Sequence, residues 1–180
     1  MPTEAETTGA LDERVRTELL PDLEVLRSLG TGTSANVYLA RETSLQRLVA
    51  VKVLRPSVAA DDILRRRFER EAQSAARIVH SHVTAVYRVG HLSDNVPYIV
   101  MEYVEGRTLA DMMESGVGVE PGQARAMLCA IASALAAAHE RGIVHRDVRP
   151  GNVLVDRAGR AVLGDFGIAA LLESGASSNA

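Results

Sequence analysis

One lysine, Lys52, stands among the 20 basic residues of this 180-residue chain, and every other one is arginine. Lysine carries a compact ammonium on a slim stem and can enter a slot too narrow for the planar fork of arginine. A lone lysine in an arginine-rich sequence therefore marks a place where the two cations are not interchangeable. Upstream of it lies "GTGTSA", Gly30 to Ala35. Glycines let a backbone approach phosphate oxygens and present N–H donors with no Cβ in the way. The stretch that follows, "NVYLARE", is strand-like, so the loop is expected to be a hairpin tip folding over a ligand. A dinucleotide-binding loop would have to open a helix, and a Walker loop would need a following G-K-[ST]; neither is present. A buried ammonium needs a partner. Glu71 lies three residues after Phe68 and four before Ala75, on the apolar stripe of a helical pattern. An inward carboxylate is rare unless paired. It can form a core salt bridge with Lys52, or hold the ammonium against a phosphate. Glu69 is expected to point outward.

Composition limits the alternatives. A hydrophobic content of 47% with 24% charged residues is that of a soluble globular domain. The formal net charge of −3 argues against a nucleic-acid partner. The one basic cluster, Arg65, Arg66, Arg67 and Arg70, is interleaved with Glu69 and Glu71 and reads as a solvated helix face. A single cysteine, Cys129, permits no internal disulfide, fits a reducing cytoplasm, and is expected to be a small core thiol in an Ala-rich helix. "MPTEAETTGA" is no signal peptide, and Ala126 to Ala138 is too short to cross a bilayer.

The elements that must position these groups follow from pattern. Residues 1–20 read as a polar lead-in, with a short helix carrying Leu11, Val15 and Leu19 at spacing four. "LEVLRSLG", "NVYLARE" and "LVAVKVL" predict three successive strands. Asp61 or Asp62 can cap a helix running to about Ile78. "VTAVYRVG" and "PYIVMEYV" predict two more strands around the turn "LSDN". Gly106 is expected to break the chain. "RTLADMME" predicts a short helix, and Pro121 opens a long one that stops at Gly142. "NVLVD" and "AVLGD" predict short strands joined by "RAGR", and "SGASSNA" is flexible in composition.

"GIVHRDVRPGN" completes a resemblance to the protein-kinase superfamily, in particular to bacterial serine/threonine kinases, from about Leu23 to Leu171. "LGTGTSANV" resembles the glycine-rich loop, "VAVK" the third-strand lysine, Glu71 the helix-C glutamate, "MEYVEG" the hinge, "HRDVRPGN" the catalytic loop and "DFG" the metal-binding turn. All six occur in the family's order. The resemblance implies an α+β, bilobal fold: residues 21–100 as a complete N-lobe with a five-stranded antiparallel sheet and helix C, 101–106 as hinge, and 107–180 as a partial helical C-lobe. It also implies ATP in the cleft at the hinge and a protein Ser or Thr hydroxyl as acceptor. Asp147 would orient that hydroxyl or take its proton, and Asn152 and Asp165 would bind Mg2+, with Mn2+ as a substitute. Lys52, held by Glu71, would touch the α- and β-phosphates. Gly30, Thr31, Gly32, Thr33 and Ser34 would cover the phosphates. Leu29, Val37, Ala50 and Leu154 would sandwich adenine, Met101 would be the gatekeeper, and Glu102 and Val104 would offer backbone groups to its edge. His145 and Phe166 are read as packing residues, and His80 and His82 as part of a structural turn.

Three features depart from the family pattern. Ala35 stands where a third loop glycine is common, and Arg149 where the catalytic loop usually has a lysine that reaches the γ-phosphate. The chain also stops shortly after "DFG", without the later activation segment and C-lobe helices. Met127, Leu128, Ile131 and Leu135 are accordingly expected to be partly bare, a patch that invites self-association. The rival readings are a nucleotide-binding pseudokinase or scaffold without turnover, and a small-molecule phosphotransferase such as an aminoglycoside kinase. The latter usually carries His-Gly-Asp where this chain has His145-Arg146-Asp147.

Overall fold

Runs of β-branched and aliphatic residues recur between Leu23 and Glu102, and they pair as the pattern predicts. The structure, a computed structural model, describes residues 4–116 and 118–166. Gly167 of "DFG" and the stretch "SGASSNA" lie outside the described residues. The chain forms two compact units, one made of residues up to Arg65 with Arg88–Tyr103, the other of Arg66–Tyr87 with residues from Val104 on.

The first unit is built on a five-stranded sheet. Its strands are β1 (Leu23–Thr31), β2 (Ala35–Glu42), β3 (Arg47–Leu54), β4 (Val86–His91) and β5 (Pro97–Glu102), in the spatial order β1-β2-β3-β5-β4. β2 pairs antiparallel with β3 in unbroken register from Ala35↔Leu54 to Glu42↔Arg47, whereas β1 slips register twice against β2, at Val25/Arg27 and at Ser28/Gly30. The turn between β4 and β5 closes with the Leu92 N–H on the Val96 carbonyl, and Asn95 adopts φ +68°, a conformation that asparagine tolerates.

The polar lead-in of the sequence reading is in fact an integral layer of this unit. Helix α1 (Glu4–Leu19) packs against β1 and buries Leu11, Val15 and Leu19, whose spacing of four places them on one face. Burying three such side chains contributes on the order of 5 kcal/mol. Its polar face is tied down as well. Arg14 forms a bidentate pair with Asp94 in the β4–β5 turn, Glu18 accepts from the Ser93 hydroxyl, and Arg16 donates to the Val25 carbonyl. The Arg14 guanidinium holds the carboxyls of Asp94 and Glu18 below their usual range. After the four-residue helix α2 (Pro56–Ala59), helix α3 (Asp62–Ala75) starts where the Asp61 carboxylate accepts from the Ile63 and Leu64 N–H groups, a side-chain cap at the predicted place.

The second unit combines helices α4 (Leu109–Glu114) and α5 (Pro121–His139) with a small sheet, β6 (Gly106–Thr108), β7 (Val153–Asp156) and β8 (Ala161–Leu163), in the order β6-β7-β8. Its core gathers Ile78, Val83, Met127, Ile131, Val153, Leu163 and Phe166. Four expectations need correction here. Gly106 does not break the chain but begins β6. A Cβ at this position would lie 1.9 Å from the Val155 carbonyl oxygen, so glycine is required by the close approach of β7. Met127 and Ile131 are buried against the small sheet, whereas Leu128, 70% exposed, is bare and Leu135 is partly exposed, as expected. Cys129 is exposed: it lines an open hollow with Ser133 and with Ala161 of β8 and is not part of the core. Glu69 does not point fully outward but is half-buried, as Glu71 is.

Candidate active site

Register aligns the candidate nucleotide-binding residues of the first unit. Gly30 pairs with Val37, Val37 with Lys52 and Lys52 with Ile99, a single row across four strands. One step along, Ala50 pairs with Met101, and Val49 pairs with Glu102. Directly paired residues share a sheet face, as do residues two apart in one strand. Val37, Lys52, Ala50 and Met101 therefore lie on the same face. Lys52 is 7% exposed, a buried cation. The loop above this row is a hairpin tip, as predicted, closed by the Gly32 N–H on the Ala35 carbonyl and steadied where the Arg55 N–H meets the Ser34 carbonyl. Leu29 and Gly30 to Thr33 are exposed, and Ser34 is half-buried. A Cβ at Gly30 would meet no atom within 4 Å, so no packing within the chain demands glycine there.

The second unit assembles the catalytic-loop residues around a buried histidine. His145, 1% exposed, accepts the Asp147 N–H at Nδ1, which leaves Nε2 to donate to the Gly164 carbonyl at 2.8 Å. Its ring packs on Phe166 with centroids 4.5 Å apart. One imidazole thus joins the loop that carries Asp147 to the turn that carries Asp165. Asn152, in the 3-10 turn Pro150–Asn152, donates through Nδ2 to both the backbone oxygen and Oδ2 of Asp147, at 2.8 and 2.7 Å. Its own carbonyl accepts from the Gly164 N–H, a second tie between the two segments. Arg146 and Asp165 hold φ values of +67° and +55°, a left-handed conformation that costs about 1–3 kcal/mol for a residue with a side chain. The sequence gives no sign of this strain.

Arg149 is exposed, and its guanidinium lies about where a side chain on Gly151 would begin, with Nη2 3.3 Å from that position. Leu154 in β7 is half-buried and Val104 is buried. His80 and His82 serve as ties within the second unit: His82 Nδ1 meets the Ala161 carbonyl, and His80 Nε2 meets the Ser133 hydroxyl. Gly164, which sequence reasoning passed over, sits with a would-be Cβ 3.2 Å from the Thr84 hydroxyl. Its only sequence signal is its place before the aspartate.

Known proteins are similar to most of this chain. The protein kinase domain family matches residues 23–180. The chain is 45% identical to the serine/threonine-protein kinase PrkC of Bacillus subtilis over 151 residues, covering 84% of this chain and 23% of that protein. It is 43% identical to the serine/threonine-protein kinase PknB of Mycobacterium leprae over 144 residues, covering 78% and 23% respectively. Among solved structures it resembles the PknI kinase domain of M. tuberculosis, with a TM-score of 0.72 and 39% identity, covering 82% of this chain and 59% of that one. The chain thus spans under a quarter of the length of these curated relatives. Among the described residues no helix is long and apolar enough to cross a membrane.

Proposed function

Since this chain belongs to the protein kinase domain family, we propose that it binds ATP and, as part of a serine/threonine protein kinase, transfers the γ-phosphoryl group to a protein hydroxyl. The observation that carries this reading is the bond from Asn152 Nδ2 to Asp147 Oδ2. It aims the carboxylate and, because the amide spends its NH2 there, turns Asn152 Oδ1 the other way. Phosphoryl transfer asks for positioning and charge neutralisation more than covalent chemistry.

In this reading Asp147 orients the Ser or Thr hydroxyl and takes its proton as the oxygen bonds to the γ-phosphorus and ADP leaves. Lys52 neutralises the α- and β-phosphates and Glu71 clamps its ammonium, while Arg149 meets the γ-phosphate. Backbone N–H groups from Gly30 to Ser34 cover the phosphates. Glycine at position 30, unneeded for packing, suits a ligand's approach. Leu29, Val37, Ala50 and Leu154 hold adenine, next to Met101, with the backbone of Glu102 and Val104 at its edge. The donors Asn152 Oδ1 and the Asp165 carboxylate are hard oxygens that fit Mg2+ or Mn2+. Such an ion, when bound, neutralises the phosphate charge that builds up during transfer. The protein substrates would be those of a signalling pathway in a bacterial cytoplasm, and exposed Leu128 would be the centre of any self-association.

Thermal shift with Mg-ATP, against ATP with chelator, tests the binding step. Ligand at a hundredfold over Kd stabilises by about 2.7 kcal/mol. That stabilisation should vanish in Asp165→Asn and weaken in Lys52→Met. Asp147→Asn should keep Mg-ATP binding and abolish label transfer to a Ser/Thr peptide. A wild-type chain indifferent to Mg-ATP would refute the proposal.

A further inference from the structure

The glycine loop hangs from a hairpin whose first strand is irregular. β1 slips register between Ser28 and Gly30, immediately before the loop, so the fixed side of the hairpin is β2, which pairs with β3 without interruption. On β2 two polar side chains are almost wholly buried, Asn36 and Tyr38, each 1% exposed. They stand two apart, on the face opposite Val37 and Lys52. Asn36 Nδ2 donates to the Tyr38 hydroxyl at 3.3 Å, and that hydroxyl donates to Asp12 Oδ1 of α1 at 2.6 Å. Burial, then the bond to Asp12, holds the Tyr38 phenol above its usual range, so it stays protonated as a donor. Asn36 is also the residue whose backbone pairs with Thr31, at the mouth of the loop.

We propose that Tyr38, held by Asp12, is a positioning residue for nucleotide binding: the chain Asp12–Tyr38–Asn36 fixes the strand from which the phosphate-covering loop extends. The helix before the sheet thereby becomes part of the support of the nucleotide site. A buried polar chain of this kind is effective only while every member is satisfied. Removing one hydroxyl leaves the Asn36 amide and the Asp12 carboxylate to find other partners, and the strand shifts to let them. The inference rests on the ATP-binding reading above.

The test is the Kd for Mg-ATP, measured by titration well below each variant's melting temperature. Tyr38→Phe and Asp12→Ala should each raise Kd about threefold to tenfold, a cost of roughly one lost hydrogen bond. Asp12→Asn, which keeps an acceptor oxygen, should stay within about twofold of wild type. Arg14→Ala, which loosens α1 at its tie to Asp94, should melt at lower temperature and leave Kd unchanged. If Tyr38→Phe melts lower yet binds Mg-ATP like wild type, the chain is structural only and the inference falls. It falls equally if Arg14→Ala weakens binding as much, because the effect then belongs to helix docking in general. A wild-type chain that binds no Mg-ATP overturns the functional reading along with it.

Discussion

Replacing Asn152 by aspartate changes one NH2 group to an oxygen and inverts the electrostatics of the catalytic loop. Two donor bonds to Asp147, at 2.8 and 2.7 Å, are lost, at about 1 kcal/mol net each. Two carboxylates then face one another. At an effective dielectric of about 20, unit charges 2.7 Å apart repel by ~6 kcal/mol. Both residues are half-buried, so rotation and solvent screening reduce this to roughly 2–3 kcal/mol. The pair escapes part of the repulsion by keeping a proton, which raises a carboxyl pKa in the folded state. A raised folded pKa means that the folded protein binds more protons. The electrostatic penalty is therefore absent below the unfolded carboxylate range near ~4 and complete above the raised folded value. Denaturant unfolding of wild type and Asn152→Asp should differ by about 3 kcal/mol at pH 4.5 and by about 4–5 kcal/mol at pH 8. A penalty equal at both pH values would show that the Asn152 amide does not face the Asp147 carboxylate, and would remove the observation on which the functional reading stands.

Other outcomes follow from the same coordinates. Gly106→Ala forces a Cβ into backbone 1.9 Å away and should cost about 3 kcal/mol, lowering Tm by roughly 6–12 °C, whereas Gly122→Ala, with nothing within 4 Å, should leave Tm unchanged or raise it. Val15→Ala, at a fully buried site in α1, should cost about 1–2.5 kcal/mol in chemical denaturation. The carboxyls of Glu18, Asp94, Asp111 and Asp156 all titrate below their ordinary range, for the most part through side-chain hydrogen bonds from Arg14, Thr108 and Arg160. A depressed folded pKa stabilises above the unfolded value and is lost as pH falls through the folded one, so stability should decline below about pH 4, and Arg14→Ala should flatten that decline.

The strands were legible because runs such as "LVAVKVL" carry β-branched residues at every other position, and local pattern is enough to specify them. Lys52 and Glu71 stood out for a different reason: a charge on an apolar stripe is a local contradiction that composition alone exposes. Gly106 was misread because a glycine after a strand looks like a breaker, and the approach of Val155 that demands it comes from 49 residues downstream. Cys129 was misjudged because the alanines around it drew more weight than Arg125 and Ser133, the polar residues four positions to either side that share its face of the helix. The helix at the acidic start of the chain was legible from Leu11, Val15 and Leu19 at spacing four, but its docking on β1 was not, because the residues that tie it down, Asp94 and Ser93, lie some 80 positions away. The left-handed backbone at Arg146 left no trace, since arginine does not favour it, and at Asp165 only the tolerance of aspartate for positive φ hinted at it.

The layer formed by α1 bears on how the gene is trimmed. Homology to kinase domains begins at residue 23, and an expression boundary drawn there would cut away Leu11, Val15 and Leu19 together with the Asp12 carboxylate. The sheet would be left bald on one side, with the Tyr38 phenol stranded, and the product would be sticky however faithfully its catalytic half had formed. A soluble clone should begin with the leader intact.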